Sequence, residues 1–566
     1  MPASTAFLIE VDGAALPDDL AALLVSALVD DSLRLPDLFV LRFRDPDRIV
    51  LDKAKLKIGS RVKVSVMTAD SQAADALISA EITALEVEYD SAGTFTVVRG
   101  YDDAHRLFRG RRSETYTQVT VSDIVTKVAR RAGLSIGAVE STNTVFDHLS
   151  QGGKTDWDFL DGLARASGYE ITVADGKLNF TKARKAGDAP AAGGSGHRDP
   201  LILRLGSDLL RFRAVVTSTE QVKEVQVRGW DVARKKALIA TAAAATRTAQ
   251  LPSVSPAGLA HTFGDPVYVA TDVPYRTQAE VDGAAAALAD QIAGAFAEFE
   301  GVARGNPKLR ANVAISLDNV GAPFDGKYTI TTSRHRYDPA AGYTTSFAVT
   351  GRQERSLYGL VSGGGRGRAS QGVVIGQVSD AQDPQHQGRV RLSYPWLSDS
   401  YVSDWARTVQ VGAGKDRGAM VVPEVGDEVL VIFEQGDIDR PYVLGGLFNG
   451  VDTPKASGVA LIDPGSGAVN RRSLISRRGH RVDLLDEDGK TEGVCVSSSD
   501  DKLKLVLDAT ATTVTVHSDG SVTVEGKGGV VVDSGSSKLE LKGGEISIKA
   551  STGVTVDSGG GSIKVT

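Results

Sequence analysis

Cysteine is nearly absent. Cys495 is the only one in 566 residues, so neither an intrachain disulfide framework nor a cysteine-based zinc site is available. Long apolar runs are missing too. The longest, Leu20 to Val29, is too short to span a bilayer as a helix. The N-terminal MPASTAFLIEVDG lacks a basic region followed by an apolar core, so no secretory leader is read there and a soluble product made in the cytoplasm is expected. Excess positive charge is missing as well. The 64 Lys and Arg against 71 Asp and Glu leave −7, which argues against a general nucleic-acid binder. The basic runs at Arg109, Arg111 and Arg112 and at Arg477 and Arg478 read as solvated surface. Beyond Thr512 there is no aromatic residue at all.

That aromatic-free stretch has a strict pattern of its own. Apolar residues come in pairs two apart: Val514/Val516, Val522/Val524, Val530/Val532, Leu539/Leu541, Ile546/Ile548, Val554/Val556 and Ile563/Val565. Successive pairs start 7 to 9 residues apart, with Gly, Ser, Asp and Lys between them. Period two within a unit means a short strand with one apolar face. Gly, Ser and Asp after each strand mean a corner. A repeated short period means a coil-type β-structure. Two inward side chains per unit are too little burial to offset ordering a whole unit. The simplest remedy is several identical chains wound together, every face turned to a shared axis. Three faces close a triangular prism, so an intertwined trimeric rod is expected, with all fourteen paired residues in its core. The alternatives are a single-chain solenoid or a sandwich tail, although sandwich strands are usually longer and carry aromatics.

The rest of the chain reads as mainly β with some α. FLIEVDG, DLFVLRFRD, SRVKVSVMT and GTFTVVRGYD are strands bounded by turn residues. LAALLVSALV fits a short helix or a buried strand equally. Three helices are expected. Ser122 is placed as the cap of DIVTKVARRA, stopped by Gly133. Thr155 and Asp158 have capping-box spacing before WDFLDGLARAS, which ends at Gly168. Thr277 and Glu280 open the third, where Val281, Ala285, Leu288, Ile292, Ala295 and Phe299 recur at helical spacing up to the breaker at 305–307. YEITVADGKLNFTKA is a hairpin turning at Asp175-Gly176. LKIGSRVKVSV and LRANVAISL are faintly alike, a hint of two related barrels. From Gly372 to Asn449, five short strands with alternation at Val429, Val431 and Phe433 describe a small closed barrel.

This barrel closely resembles the OB-fold module of VgrG proteins and phage baseplate spikes. The matching positions are Gly388-Arg389-Val390, Trp405, Arg407, Ala413-Gly414, Gly418, Pro423, Gly426-Asp427-Glu428-Val429, Phe433, Gly436-Asp437, Arg440-Pro441, Gly445 and Asn449. SLISRRGHRVDLLDEDG is similar to that family's entry into its β-prism. RLFRGRRSETYTQVTVSDIVTKVARRAGL and DWDFLDGLARASGYEITVADGKLNF resemble a phage tail hub of the late control protein D type. The resemblance implies a hub-like region over 1–361 with two barrel-like subdomains, a Gly-rich linker at 362–371, an OB collar at 372–450, a connector at 451–474 and a β-prism spike at 475–566. It further implies the trimeric hub-spike of a contractile injection machine. The expected partners are two further copies, an inner tube protein, baseplate wedge proteins, a PAAR-like tip and, transiently, a target membrane. The tip is also expected on physical grounds, since a prism ending at Lys564, Val565 and Thr566 leaves open strand ends and an apolar core. Phage-like hub segments and a short prism favour an extracellular phage-tail-like particle over a type VI apparatus.

Chemistry is sparse. No lysozyme-sized insert fits between Gly450 and the prism entry, and no effector domain is read after it. Asp486, Glu487 and Asp488 cluster, but Asp488-Gly489 fits a hairpin turn better than a glycan-cleaving pair. His335 has no second His at ligand spacing and is read as an ordinary surface or core residue. His517 follows Val516 and faces outward from the rod. GGGRGR lacks the Lys-Ser/Thr of a phosphate loop. A non-enzymatic protein without metal or cofactor is expected. The rivals are a trimeric β-helical glycan-degrading tailspike and a passive receptor-binding fibre. If the paired residues line a shared axis, Val524→Asp places unpaired charges there and abolishes chain association. Light scattering reads the outcome, and an unchanged mass would refute the axial placement.

Overall fold

The computed structural model describes all residues except 1–4, 69–72, 193–198, 232–233, 235, 272, 341, 352–371 and 566. The expected Gly-rich linker and Thr566 therefore lie outside the described residues. The architecture is mainly β, in two compact units, Met1–Asn449 and Gly450–Thr566.

The first unit is built on an eleven-stranded sheet made from both ends of the hub-like region. Leu24–Ser32 lies at the join, antiparallel to Leu38–Arg44 on one side and to Thr332–Asp338 on the other. This is the LAALLVSALV stretch that fitted helix or strand. Only the four-residue turn Asp18–Ala21 is helical. Two flanking strands hydrogen-bond the remainder, and Ala27 and Val29 alternate into the core. On one side of the join Val29, Phe39, Leu41, Phe43, Val62 and Val64 form one core. On the other, Phe296, Phe299, Ile315, Leu317, Tyr328 and Phe347 form a second.

Two insertions carry the helices. In the first, the cap is Thr120 and not Ser122. Thr120 Oγ1 accepts from the Asp123 N–H at 3.2 Å while the Asp123 carboxylate accepts from the Thr120 N–H at 2.9 Å. This closes a capping box on helix Val121–Arg131. Ser122 instead sits in the first turn, bonded to Thr142. Thr155 does cap Asp156–Ser167, whose C-terminus is closed by Gly168 at φ 77. Asp175 and Gly176, both at positive φ, turn the hairpin Tyr169–Ala174 to Lys177–Lys182.

In the second insertion the helix starts as expected with a Thr277/Glu280 capping box, but it ends at Ala293. After a single 3₁₀ turn, Ala297–Arg304 is a strand. Ala295 and Phe299 thus lie past the helix. Ala297, Phe299, Gly301 and Ala303 face inward and alternate with Glu298, Glu300 and Arg304. Strands on both sides enforce that period of two. Phe299 is fully buried against Phe212 and Phe347, with ring centroids 5.5 and 5.7 Å away.

The OB-like part is a five-stranded sheet: Arg391–Ser393, Val374–Asp380, Glu428–Phe433, Pro441–Gly446 and Arg407–Thr408, in spatial order. Reciprocal backbone bonds between Val390 and Ala406, 2.7 and 3.0 Å, bring its ends together. Val378, Leu392, Tyr394, Val429, Val431 and Phe433 fill it. The 418–426 stretch runs without a strand. The Gln410 side chain holds it instead, accepting from the Val421 N–H at 2.8 Å and donating to the Val421 carbonyl at 3.1 Å.

The second unit is a five-stranded antiparallel meander: Arg471–Ile475, Arg481–Glu487, Thr491–Ser497, Leu503–Asp508 and Thr513–Ser518. From 519 to 565 the described residues form turns and extended segments without strand pairing. The expected core is one shared among chains, and within one chain its residues lie on the surface. Val514 and Val516 lie on a paired strand, yet both are exposed. Val522, Val524, Val530, Val532, Leu539, Leu541, Ile546, Ile548, Val554, Val556, Ile563 and Val565 are neither paired nor buried. The reason is the one that made the repeat unusual. Each turn of chain brings only two apolar side chains, and no neighbouring segment of the same chain lies over them.

Phe299→Ala, between half-buried Phe212 and buried Phe347, costs about 3–5 kcal/mol. It lowers the denaturant midpoint of the hub-region transition accordingly, whereas a helix-end position at the surface would leave that midpoint within error.

Candidate functional site

The meander of the second unit has its polarity reversed. Cross-strand partners share a face, which defines its rows. Leu474, Val482, Val496, Leu505 and Val516 form one row, and Leu484, Val494, Leu507 and Val514 the next. Most of these side chains are exposed, Leu474 at 70%. On the opposite face Asp483 is 2% exposed and lies under a polar cluster. Asp483 accepts from Ser473 at 2.5 Å and from Arg481 at 2.9 Å, and Arg481 also reaches Asp501 at 2.7 Å. The connector covers this side, where Arg471 donates to the Lys455 carbonyl at 2.6 Å. A folded sheet normally buries its apolar face. Here the chain buries the polar face and leaves the apolar one bare.

The bare face continues into the repeat. All fourteen paired residues from Val514 to Val565 are exposed, from 52% at Leu539 to 93% at Val565. The second member of a pair is commonly the barer one. Val532, Leu541, Ile548 and Val556 are each more exposed than Val530, Leu539, Ile546 and Val554 before them. Expected as core positions, these residues are surface in one chain, and burial would have to come from outside it. Between 519 and 565 no strand of the same chain covers them among the described residues. The rows at 474–507 are functional candidates that counting pairs from 514 leaves out. Their signal is nonetheless present as the alternations VDL, VCV and LKLVL. Lys564 and Val565 end the exposed series.

The other sequence candidates resolve into ordinary structure. Asp486 pairs with Arg472 at 2.8 Å and Glu487 with Lys490 at 3.2 Å, on either side of a turn with Gly489 at φ 67. His335 is a core residue. Its Nδ1 lies 2.8 Å from the Tyr343 hydroxyl and its Nε2 3.2 Å from Ser333 Oγ. Burial, reinforced by the nearby Arg310 guanidinium, pushes its pKa down to about 3, so the ring is neutral. His517 is exposed and 3.1 Å from Asp519. Among the described residues no group of three or more His, Cys, Asp or Glu is placed to hold a metal, and no helix is long and apolar enough to cross a membrane. GGGRGR lies outside the described residues.

Within the first unit, the OB barrel meets both insertions of the hub-like region. Ser150 Oγ and the Tyr401 hydroxyl share a buried bond of 2.7 Å. Arg276 faces Glu434 at 3.6 Å and Arg440 faces Glu280 at 3.7 Å, a reciprocal pair of charges across the seam. Gln435 donates to the Thr271 carbonyl at 3.0 Å. Sequence spacing carries no sign of these contacts, because the partners are up to 251 positions apart. Inside the barrel Asp383 organises the loop up to Arg389. It accepts from the Arg389 guanidinium at 2.6 and 3.1 Å and from the backbone of Gln385, Gln387 and Arg389 at 3.0, 2.7 and 3.3 Å. The guanidinium first, and these N–H groups after it, hold its carboxyl well below the usual range.

Residues 374–448 match the family described as the type VI secretion system/phage-baseplate injector OB domain. Residues 54–338, just over half of the chain, match the Alg8 N-terminal domain family. Over 85 residues the chain is 36% identical to the type VI secretion system spike protein VgrG1a of Pseudomonas aeruginosa, covering 14% of this chain and 13% of that one. Over 133 residues it is 28% identical to spike protein VgrG3 of Vibrio cholerae, covering 23% and 13%. The matched stretch therefore spans 13% of the length of each of these curated relatives. In fold, a chain of the Francisella PdpA–VgrG complex is similar over 91% of this chain and 80% of that chain, with a TM-score of 0.51 at 9% identity.

Because Asp383 is held ionised by groups that persist only in the folded barrel, its contribution is present above the ordinary aspartate pKa. It is lost as pH falls through the lowered value. Asp383→Asn removes this part of the acid sensitivity. Melting curves from about pH 6 down to about pH 3 check it, and identical slopes for the two proteins would contradict the assignment.

Proposed function

From its VgrG-like spike relatives and its injector OB domain, we propose that three copies of this chain, which belongs to the Alg8 N-terminal domain family, assemble into the central hub-spike of a contractile injection machine. The observation that carries this is the largely exposed apolar series from Leu474 to Val565 on a unit whose polar side is the buried one. A surface of that kind marks a missing partner. Identical copies satisfy it best, because the series offers one face per chain and three such faces enclose an axis without leaving a sheet edge. Wound together, the units make a stiff rod. The hub-like region joins that rod to an inner tube and baseplate wedge proteins. A PAAR-like tip caps the rod. When a surrounding sheath contracts, the rod concentrates its force on a small area of target membrane.

In this reading the work is mechanical. The matched relatives are spike proteins by name, and Asp486, Glu487 and His335 are held by structural partners. Assembly takes place in the cytoplasm of the producing cell, as part of a phage-tail-like particle. Light scattering on the purified full chain is expected to give three times the chain mass, and a monodisperse monomer would overturn the reading. A zymogram on peptidoglycan and capsular glycan is expected to stay blank. Clearing by the purified chain would instead establish a glycan-degrading enzyme.

A further inference from the structure

The seam between the OB barrel and the first insertion holds one titratable side chain in an unusual setting. His148 lies on strand Phe146–Lys154, two residues before Ser150, so both point the same way toward the barrel. It is buried. Its Nε2 is 3.0 Å from the Val402 carbonyl oxygen, and its Nδ1 is 3.4 Å from Asp439 Oδ1. Both neighbours are acceptors. Neither His148 Nδ1 nor Asp439 Oδ1 forms a hydrogen bond, and the two meet at ion-pair distance.

A neutral imidazole carries one N–H, and only the imidazolium carries two. With Nε2 donating to Val402, a neutral ring would turn the Nδ1 lone pair toward a carboxylate in a site closed to water. The observed placement is complementary to the cation alone. We propose that His148 is a pH-responsive latch holding the OB barrel on the hub-like region: charged, it ties the insertion to both Val402 and Asp439, and loss of its second proton loosens that joint.

The surroundings support the charged form. Asp439 and Asp404 are the charged groups that act on the ring from the barrel. On its own two-stranded sheet the ring is flanked by uncharged Ser150 and by Thr117, its cross-strand partner. Burial opposes the charge, but the Asp439 carboxylate and then the Val402 carbonyl outweigh it, and the His148 pKa is raised above the ordinary value. The sign follows from that direction. The latch contributes fully below the pKa of a free histidine and is lost as pH rises through the folded value. The other seam contacts, Ser150–Tyr401, Arg276–Glu434 and Arg440–Glu280, contain no histidine. Above the transition the barrel therefore stays attached but is held less tightly. This goes beyond the hub-spike reading and does not depend on it, since every contact lies within one chain.

The test is amide hydrogen exchange on the full chain between about pH 5 and pH 8, corrected for intrinsic rates and read in peptides over 146–152, 401–404 and 437–441. Protection in the wild type is expected to fall roughly three- to tenfold across the transition. His148→Gln keeps a donor for Val402 but cannot titrate. It is expected to show the weaker, high-pH protection throughout, and Asp439→Asn is expected to flatten the profile as well. Tyr401→Phe is the control: it removes the neighbouring bond, lowers protection at every pH and leaves the wild-type pH dependence in place. Wild-type protection that does not vary with pH would overturn the latch. So would an undiminished pH dependence in either His148→Gln or Asp439→Asn.

Discussion

The constraint on which the second unit depends is a sheet that cannot be completed by one chain. Its strands pair in sequence, from Arg471–Ile475 through to Thr513–Ser518. Yet the ionic cluster of Arg481, Asp483 and Asp501 faces inward, while Val482, Leu484, Leu505 and Leu507 face out. Charged groups are costly to bury unless paired, and here they pair with one another under the connector. The apolar side has no such cover. Burial of apolar area is the main favourable term in folding, so this face has most to gain from association with further chains. The same argument extends through the repeat. Each two-residue face between 519 and 565 is too small to hold a strand against its own chain, and none is held among the described residues.

The first unit differs because its sheet is completed internally. Leu24–Ser32 and Thr332–Asp338, about three hundred residues apart in sequence, pair across its centre. The two cores on either side are closed by aromatic and branched side chains. Around the join, Arg310 bonds Asp31, and the backbone N–H of Ser32 donates to Asp37. Asp37 is half-buried beside Asp31 and Asp102. Loss of solvent first, then those like charges, raise its pKa well above the usual range. A polar seam between apolar cores gives up some stability for a defined orientation of the two halves.

The OB barrel is attached in the same manner, through directional contacts. The Arg276–Glu434 and Arg440–Glu280 pairs cross one another, so sliding the barrel along the seam would bring like charges together. Such contacts specify one arrangement more than they stabilise it. A purely apolar contact, by contrast, has no preferred angle.

Much of this was legible in the chain itself. Strand alternation identified the OB core at Val429, Val431 and Phe433, and capping chemistry located Thr155 and Thr277, because both signals depend on neighbours within a few positions. The paired repeat marked its own apolar face, because a period of two fixes which side chains share a side whatever covers them. It could not say whether one chain would bury that face, and in one chain Val532, Leu541, Ile548 and Val556 stay bare. Other features depended on contacts distant in sequence. LAALLVSALV became a strand because two partners on either side accepted it. Phe299 left the helical pattern because flanking strands imposed theirs. Ser122 yielded the cap to Thr120 because the Thr120 backbone turned out extended. The reversed polarity of the meander and the placement of His148 between Val402 and Asp439 were decided by tertiary structure alone. Which face a connector covers, and which carbonyl meets a ring nitrogen, depends on segments brought together only when the chain folds.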